Sequence, residues 1–289
     1  MIRTRVRGPL RLPDFLGIGP PRTATTWLER VLRGRAGLPE LVKETQFFVW
    51  RYDLGLEWYA SHFRNCPPDL PVGELAPTYF DAPLARDRIA HDLPECRIIC
   101  TLRDPAERLY SHYRLWRKIG YTKSRFEDAA FRHRQLLDTA RYADHLKGWL
   151  DRFDRERVLV LLHDDLIADR QVFLDRVCDF IGIARFDVSK IGSADERIHT
   201  AEQAPRSFRT ARRAQYVMRK LQRRRFYRLT KFCEPLFEYC FSGGETFPPL
   251  EPELADRIRA SLLPQTDALE KLIGRDLSAW KDHSVGTPT

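Results

Sequence analysis

The sequence predicts an α/β fold with a central, mostly parallel sheet and helices on both faces. Continuous apolar segments of strand length recur along the 289 residues. Segments with one apolar helical face follow them, and no internal repeat or low-complexity linker interrupts the alternation. Ligands of such sheets bind outside the carboxyl ends of the strands, so the loops that follow the strands are the first candidates for a site.

The first predicted unit consists of a strand, a loop and a helix. Residues 14–19 form a short apolar run that ends in glycine and precedes two prolines, which indicates a buried strand that stops at a loop. The residues that then recur at helical spacing are Trp27, Leu28, Val31 and Leu32. We expect Thr25 or Thr26 to be the N-cap of this helix, because a threonine hydroxyl accepts a hydrogen bond from a free helix N–H.

A second unit repeats this order. Residues 97–102 predict a strand, Arg103 and Asp104 form the turn, and Pro105 suits the first position of a helix. The apolar face of that helix comprises Leu109, Tyr113 and Trp116.

The remaining elements follow from the same patterns. Short strands are predicted at 71–75 and 157–162, and helices at 142–150 and around 173–181. After two prolines at 248 and 249, we expect a final pair of helices, through 254–262 and 269–273.

Composition excludes several classes of protein. A hydrophobic fraction of 43% with 11% aromatic residues excludes global disorder. The apolar runs are too short for a membrane span, and the basic start lacks the features of a secretory signal. The six cysteines form no CxxC pair, which argues against a zinc site and fits a reducing compartment. We therefore expect a cytoplasmic protein, at most peripheral at a membrane.

The charge balance indicates an anionic partner. The chain has 49 Lys and Arg against 40 Asp and Glu, a net charge of +9. Residues 206–231 contain eleven Lys and Arg and no Asp or Glu, and the spacing of Val217 and Leu221 favours a helix there. Such a helix is a solvated face, a guide for an anionic acceptor, or a surface that lies against a membrane.

The loop 19–27 carries the first candidate site. A loop between a buried strand and a helix N-terminus presents backbone N–H groups and the positive end of the helix dipole to an anion. Arg22 adds a fork of donors, and hydroxyls come from Thr23, Thr25 and Thr26. The loop is not a Walker A motif, because Gly-Lys is missing before its final threonine. By itself it is equally consistent with an oxyanion cradle and with a threonine-rich helix start.

Two further segments carry polar groups that such a site needs. Arg103 stands at a strand end, where it can reach a ligand that lies across the sheet edge, and Ser111 follows two helical turns later. Glu44 stands beside Lys43 and just before the aromatic pair 47–48. Buried neighbours hold a carboxylate in one position and shift its pKa, as a general base requires. Taken singly, each segment is better explained as a surface feature: an Arg–Asp turn with a solvent-facing serine, and a Lys–Glu pair beside a strand.

Together the three segments resemble the sulfotransferases that use 3′-phosphoadenosine-5′-phosphosulfate (PAPS), most closely the glycan (heparan-sulfate-type) enzymes and their bacterial relatives. In that family a PKxGTT or PRxGTT loop holds the 5′-phosphosulfate, and residues 21–26 read PRTATT. An LRxPxxRxxSxY segment holds the 3′-phosphate, and residues 102–113 match it. The catalytic glutamate precedes His-Phe-Phe or similar, as Glu44 precedes Gln-Phe-Phe. Further matches lie at 55–59, 73–79, 142–149 and 269–280, so the resemblance covers about residues 12–281.

The resemblance implies a three-layer, P-loop-NTPase-like arrangement and an enzyme that transfers the sulfuryl group of PAPS to an acceptor hydroxyl of a sugar or glycolipid. The implied donor-binding residues are Arg22, Thr23, Ala24, Thr25, Thr26 and Trp27 for the phosphosulfate, and Arg103 and Ser111 for the 3′-phosphate. Glu44 is the implied catalytic base, and Arg22 stabilises charge on the leaving phosphate. The product nucleotide is adenosine 3′,5′-bisphosphate; neither a metal nor nucleic acid is expected. The implied boundaries are tails at 1–11 and 282–289 around a domain at 12–281, with a basic helical segment at 206–232.

Three departures from the family pattern matter. Ala24 replaces the usual glycine, so we expect the loop to avoid a conformation that only glycine tolerates there. Arg22 replaces the commoner lysine and keeps the charge on a bulkier, bidentate group. The late Lys-Gly-Arg loop of the glycan enzymes falls near 242–246, where its positive charge is absent. Arg206 or Arg209 is the expected substitute.

Two alternatives remain open from the residues alone. The first is a nucleotide kinase or other P-loop phosphotransferase, which shares the fold class but needs the missing Gly-Lys-Thr/Ser and a metal-binding aspartate. The second is a non-catalytic nucleic-acid or membrane-surface binder that uses residues 206–231, although these contain no recognised nucleic-acid motif.

Overall fold

The computed structural model describes residues 10–191, 203–224 and 226–281. The predicted tail 282–289, and residues 1–9 of the N-terminal tail, lie outside these ranges. The described chain divides into two compact units. Unit 1 comprises 10–20, 24–101 and 148–191; unit 2 comprises 21–23, 102–147, 203–224 and 226–281. The single domain at 12–281 stays a prediction.

The helices and strands follow the predicted order. The strands are β1 (Phe15–Gly17), β2 (Gly73–Leu75), β3 (Arg97–Leu102), β4 (Val158–Leu162), β5 (Gln203–Pro205) and β6 (Gly243–Thr246). The helices are α1 (Thr25–Leu32), α2 (Gly55–Ala60), α3 (Pro83–Asp92), α4 (Pro105–Lys118), α5 (Phe126–Arg132), α6 (Arg134–Asp138), α7 (Tyr142–Leu150), α8 (His163–Ala168), α9 (Arg170–Ile181), α10 (Phe208–Arg223), α11 (Tyr227–Phe232), α12 (Glu234–Phe241) and α13 (Pro252–Ile273). A short π-helical turn spans Phe47–Arg51.

A four-stranded sheet forms the core of unit 1. The strand order is β2-β1-β3-β4, and β1 is parallel to both β2 and β3. Phe15 lies opposite Gly73 on one side and Arg97 on the other. The apolar residues of β1, β2 and β3 are buried, and so are Val158, Leu161 and Leu162 of β4, as continuous apolar runs predict for a parallel sheet covered by helices. The predicted α/β class with a central parallel sheet is confirmed.

Close packing explains why the first strand ends in glycine. A Cβ at Gly19 would lie 2.3 Å from both the carbonyl oxygen and the hydroxyl of Thr101. Only glycine lets the chain that leaves β1 pass this close to β3. The chain then enters the loop 19–27 immediately after this contact.

The start of α1 differs from the prediction. The N-cap is Ala24, whose carbonyl accepts a hydrogen bond from the Leu28 N–H at 3.0 Å, and no side chain caps the helix. Thr25 is the first helical residue, so neither it nor Thr26 is the N-cap. The predicted buried face is confirmed, since Trp27, Leu28, Val31 and Leu32 are all buried.

The start of α4 follows the prediction. Asp104 is the N-cap and accepts a hydrogen bond from the Glu107 N–H at 2.8 Å, and Pro105 occupies the first helical position. The predicted apolar face is confirmed, because Leu109, Tyr113 and Trp116 are buried. This capped, packed start fixes the backbone on which Arg103 and Ser111 stand.

The C-terminal segment forms one helix, so the expected pair of helices is wrong. α13 runs without a break through Pro264. A proline inside a helix costs about 3 kcal/mol. The buried residues keep a spacing of three or four on both sides of it: Leu254, Ala255, Ile258, Leu262, Thr266 and Leu269. Continuous packing of one face outweighs the local cost.

Two findings concern compartment and membrane. All six cysteines are free thiols, four of them buried. Within the described ranges, none of the helices combines the length and the apolarity that crossing a bilayer requires.

Candidate functional site

A direct contact joins the two predicted anion-binding segments within unit 2. Arg22 Nε donates a hydrogen bond to Ser111 Oγ at 2.9 Å, across 89 residues of sequence. Ser111 is buried on α4, two turns after Arg103. The first loop and the α4 segment are therefore in direct contact through a polar pair.

Three guanidinium groups accumulate positive charge at this place. The pKa of Arg22 is lowered to about 10, chiefly by burial and then by the nearby charges of Arg103 and Arg114. Arg22 is still charged at neutral pH. Like charges held together in a partly buried position are stabilised by an anion with several negative charges, so the donor set fits a nucleotide that carries phosphates at both ends.

The ion pair of Arg103 leaves most of its guanidinium available. One terminal nitrogen, Nη2, contacts Glu107 Oε2 at 3.2 Å, and both side chains are partly exposed. This contact lies within one helical turn and uses one nitrogen of three. Such a pair contributes less than about 1 kcal/mol and holds the side chain without neutralising the cluster.

Arg114 is a member of this cluster that the sequence analysis missed. It lies one turn beyond Ser111 on α4, and its guanidinium sits over the Tyr110 ring at 5.3 Å. Its Nε is buried and has no hydrogen-bond partner. Its positive charge is one of the causes that lower the pKa of Arg22, so it lies close to that guanidinium. Arg114 could have been predicted to belong to the cluster, because it follows Ser111 by three residues on the same helix and so stands on the same face.

The loop backbone contradicts the expectation for Ala24. Ala24 has φ 74° and ψ 13°, the left-handed conformation that the alanine was expected to avoid. Arg22 also has a positive φ, 80°. Left-handed residues other than glycine cost about 1–2 kcal/mol each, and such strain concentrates at ligand sites. The contact between Arg22 and Ser111 holds one end of the strained loop, and α1 holds the other.

The threonines of the loop fall into different environments. Thr23 and Thr25 are buried. Thr26 is partly exposed, and its hydroxyl accepts a hydrogen bond from Lys43 Nζ at 2.6 Å. The Trp27 ring packs edge-on against Phe173 at 5.8 Å in the core of unit 1. The Trp27 side chain is therefore part of the core, at the start of α1.

Glu44 lies in unit 1 within a network of its own. Gln46 Nε2 donates to Glu44 Oε2 at 2.6 Å, and Lys43 Nζ lies 3.7 Å from Oε1. Burial raises the pKa of Glu44 above its ordinary value, while Lys43 and Gln46 oppose that shift. The expected anchor is present, since Phe47 and Phe48 are fully buried. A partly desolvated carboxylate with a raised pKa is a stronger base than one in water.

Thr78 extends this network and was not identified from the sequence. Its hydroxyl donates to Gln46 Oε1 at 2.7 Å, which fixes the amide with its nitrogen toward Glu44. Gln46 itself has a left-handed backbone, φ 59°. Thr78 lies 32 residues away in sequence, so only the fold brings it to Gln46.

A buried carboxylate secures the backbone next to Glu44. Glu74, on β2, accepts hydrogen bonds from the Thr45 N–H, the Thr45 hydroxyl and the hydroxyls of Tyr59 and Tyr79. Burial raises its pKa to about 7, and the two donors of Thr45 are the main opposing influence. These contacts fix Thr45, and thereby the position of the preceding Glu44.

Two other residues bear on the predicted site. Arg108 Nη1 donates to His112 Nδ1 at 3.2 Å, and burial with Arg108 and Arg22 nearby lowers the pKa of His112 to about 3, so this imidazole is neutral and a weak base. Arg206 contacts the segment 242–246, where the positive charge of the family's Lys-Gly-Arg loop is absent. Its Nε donates a hydrogen bond to the Gly243 carbonyl at 3.3 Å.

These features define a class of protein. An α/β protein with a parallel sheet, a phosphate-type loop without Gly-Lys and a cluster of arginines around it binds a phosphorylated ligand through fixed cations and backbone donors. The Sulfotransferase domain family model matches residues 12–227, well over half of the chain. The chain therefore belongs to the sulfotransferase family.

Named relatives agree with this assignment. Over 192 residues, 63% of this chain and 49% of the relative, it is 30% identical to heparan sulfate glucosamine 3-O-sulfotransferase 3B1 of Homo sapiens. Over 202 residues, 60% of this chain and 22% of the relative, it is 30% identical to bifunctional heparan sulfate N-deacetylase/N-sulfotransferase 4 of Mus musculus. The chain thus matches about half, or less, of the length of these relatives. A solved sulfotransferase from Alicyclobacillus acidocaldarius shares the fold, with a TM-score of 0.65, 22% identity, and coverage of 94% of this chain and 99% of that one.

Proposed function

We propose that this protein is a PAPS-dependent sulfotransferase that transfers a sulfuryl group to a hydroxyl of a carbohydrate acceptor. The observation that carries the proposal is the contact between Arg22 and Ser111, with Arg103 and Arg114 close by in the same unit. Family membership and the heparan sulfate relatives support the same reaction and the same class of acceptor.

We assign the two ends of the donor to two groups of residues. Arg22 and Thr23, with the backbone of residues 24–27, bind the 5′-phosphosulfate, because the loop leads into the positive end of α1. Arg103 and Ser111 bind the 3′-phosphate, and Arg114 adds positive charge beside them. PAPS supplies an activated sulfuryl group and an adenosine 3′,5′-bisphosphate leaving group. Fixed cations stabilise the charge that develops on that leaving group, and Arg22 is the residue assigned to it.

Glu44 is assigned as the base that accepts the proton of the acceptor hydroxyl. Gln46 holds one carboxylate oxygen and Lys43 lies near the other, so the carboxylate has a fixed orientation. Its raised pKa favours proton transfer from a hydroxyl. Lys43 also donates to Thr26, which links the base to the start of the helix after the donor-binding loop.

The rival functions receive less support. A P-loop kinase would need Gly-Lys before the last threonine of the loop, where this chain has Ala24-Thr25. A non-catalytic binder of nucleic acid leaves the networks around Glu44 and Arg22 without a purpose, and the matched relatives are named as sulfotransferases.

The acceptor and the location remain proposals. The matched relatives are named for heparan sulfate, so a sugar hydroxyl, free or in a glycolipid, is the proposed acceptor. A cytoplasmic location is proposed from the free cysteines.

The direct test is transfer of the label from ³⁵S-labelled PAPS to a panel of polysaccharides, glycolipids and phenols. We expect label on a carbohydrate, and Glu44→Gln to lose at least about a hundredfold in kcat while binding adenosine 3′,5′-bisphosphate normally. Glu40→Gln, an exposed carboxylate four residues earlier, is the matched control and should retain wild-type turnover. Near-normal turnover of Glu44→Gln would remove the base assignment, and absence of any labelled product would remove the proposed reaction.

A further inference from the structure

A strongly basic segment of unit 2 has no role in the proposed reaction apart from the cofactor contact expected of Arg206 or Arg209. Residues 206–231 contain eleven Lys and Arg and no Asp or Glu. They form α10 and α11, and α12 follows directly. The predicted helical character is confirmed for α10, a helix of 16 residues.

One face of α10 is packed and determines which residues remain outside. Ala211 is buried against Phe237 and Phe241 of α12, and Met218 and Leu221 pack against the same cluster. The opposite face of α10 is consequently in solvent.

The exposed face of α10 combines an apolar pair with cations. Tyr216 and Val217 are both exposed. Three and four residues before and after them, at the positions that neighbour them on a helix surface, stand Arg212, Arg213, Arg219 and Lys220, all exposed. Apolar side chains are thus surrounded by a ring of positive charge.

The next two helices repeat this combination as an apolar ridge, defined as Phe226, Leu229, Phe232, Leu236 and Tyr239. All five are exposed. Leu229 and Phe232 are three residues apart in α11, preceded by its N-cap Phe226, and Leu236 and Tyr239 are three residues apart in α12, the spacing of one helix face within each helix. Phe232 is 83% exposed and Leu236 62%. Large apolar side chains clustered in water mark an interaction surface, whereas single ones need no explanation.

Cations accompany the α11 part of the apolar ridge, whereas α12 has no Lys or Arg and its Glu238 is paired with Lys118 at 2.9 Å. Arg228 and Lys231 each precede a ridge residue by one position and are exposed. Arg206 stacks on the ring of Tyr239 at 5.0 Å and donates to its hydroxyl at 3.0 Å, which fixes the end of the ridge. Across 206–224 and 226–231, none of the lysines or arginines forms an ion pair with a carboxylate.

From this juxtaposition we propose that α10, α11 and α12 bind the surface of an anionic lipid bilayer. The apolar ridge inserts at the boundary of head groups and acyl chains, and the surrounding lysines and arginines contact the lipid phosphates and carboxylates. The proposal is independent of the proposed reaction.

Other partners fit the surface less well. A nucleic acid or an acidic polysaccharide would neutralise the cations but leave Leu229, Phe232 and Leu236 in water. A second copy of the chain would cover the ridge only by bringing two sets of unpaired cations together, and like charges at close range repel. A bilayer with anionic lipids satisfies both the apolar and the basic groups.

The test is co-flotation of the full chain with vesicles. We expect binding to phosphatidylcholine vesicles that contain about 30% phosphatidylserine, and little binding to phosphatidylcholine alone. Phe232→Ser/Leu236→Ser and Arg228→Glu/Lys231→Glu should each weaken binding about tenfold or more. Ile167→Ser, which removes an apolar side chain of similar exposure (71%) in unit 1, is the matched control and should bind as wild type does.

Three results would overturn the proposal. The first is a wild-type chain that does not float with the phosphatidylserine vesicles. The second is a ridge variant that binds as well as wild type while the charge variant does not, because that pattern belongs to a surface for polyanions. The third is a dimer in light scattering that the ridge variant abolishes, since the ridge would then be occupied by a second copy. All of these variants change exposed side chains, so circular dichroism should show unchanged folding.

Discussion

Replacing the strained Ala24 of the donor-binding loop by glycine should stabilise the protein, whereas a change from alanine to glycine usually lowers stability. Ala24 has φ 74° and ψ 13°. This left-handed conformation costs a residue with a Cβ about 1–2 kcal/mol, and glycine does not pay it. Glycine gives the unfolded chain more freedom, which costs about 0.4–1 kcal/mol. Ala24→Gly should therefore raise the free energy of unfolding by about 1 kcal/mol, or the midpoint of thermal unfolding by about 2 °C for a chain of this size.

The matched control is the same substitution in a helix. Ala268 is exposed in α13, where glycine is expected to lower stability by about 1 kcal/mol. Urea and thermal unfolding of wild type, Ala24→Gly and Ala268→Gly compare the two sites directly. The reasoning is refuted if Ala24→Gly loses as much stability as Ala268→Gly, because Ala24 then has an ordinary backbone conformation.

Three further predictions follow from the networks of the site. Arg103→Ala should weaken adenosine 3′,5′-bisphosphate about tenfold or more in calorimetry and leave adenosine 5′-monophosphate nearly unchanged, because one charge-assisted contact to the 3′-phosphate is lost. Thr78→Val should lower kcat about fivefold without changing the KM for PAPS, because the hydroxyl that orients Gln46 toward Glu44 contributes about 1 kcal/mol. Burial raises the pKa of Glu74 to about 7, above its value in the unfolded chain. The folded protein therefore holds the proton more tightly than the unfolded chain, and this contribution to the free energy of unfolding is lost as the pH rises through about 7. Wild type should thus lose stability relative to Glu74→Gln between roughly pH 5 and pH 8.

Each of these predictions has a control and a contradicting outcome. Arg132→Ala removes an exposed arginine of unit 2 and should leave both nucleotides bound as in wild type; equal weakening of both nucleotides by Arg103→Ala would place Arg103 away from the 3′-phosphate. Thr78→Ser retains the hydroxyl and should restore turnover; a serine variant as slow as the valine variant would make the effect one of packing. Parallel stability curves for wild type and Glu74→Gln across the pH range would show that Glu74 does not titrate there.

Much of the fold was predictable because its signals are local. The buried strands at 97–102 and 157–162 are continuous apolar runs, and the start of α4 combines an N-cap aspartate with proline at the first helical position. Arg22, Arg103 and Ser111 follow strands of a parallel sheet, so topology alone predicted that they would come together. The structure brings two of them, Arg22 and Ser111, into contact at 2.9 Å.

Other features depended on contacts that no local pattern encodes. Pro264 predicts the end of a helix, but buried residues on both sides of it keep α13 continuous. The sequence predicts that Ala24 avoids the left-handed conformation. The loop is held at both ends, however, and Ala24 adopts that conformation. In both cases packing over many residues outweighs a preference of about 1–3 kcal/mol at one residue.

The sequence by itself determined the periodicities, the order of the strands and helices, and the set of charged and hydroxyl side chains at the strand ends, because these depend on neighbours within a few residues. Only the tertiary structure decided that Thr78 orients Gln46, that Glu74 secures Thr45 together with two tyrosines, and that the Nε of Arg114 is left without a partner. Those contacts join segments far apart in the chain, or depend on which atoms the packing excludes from water. The path of the whole backbone therefore sets them.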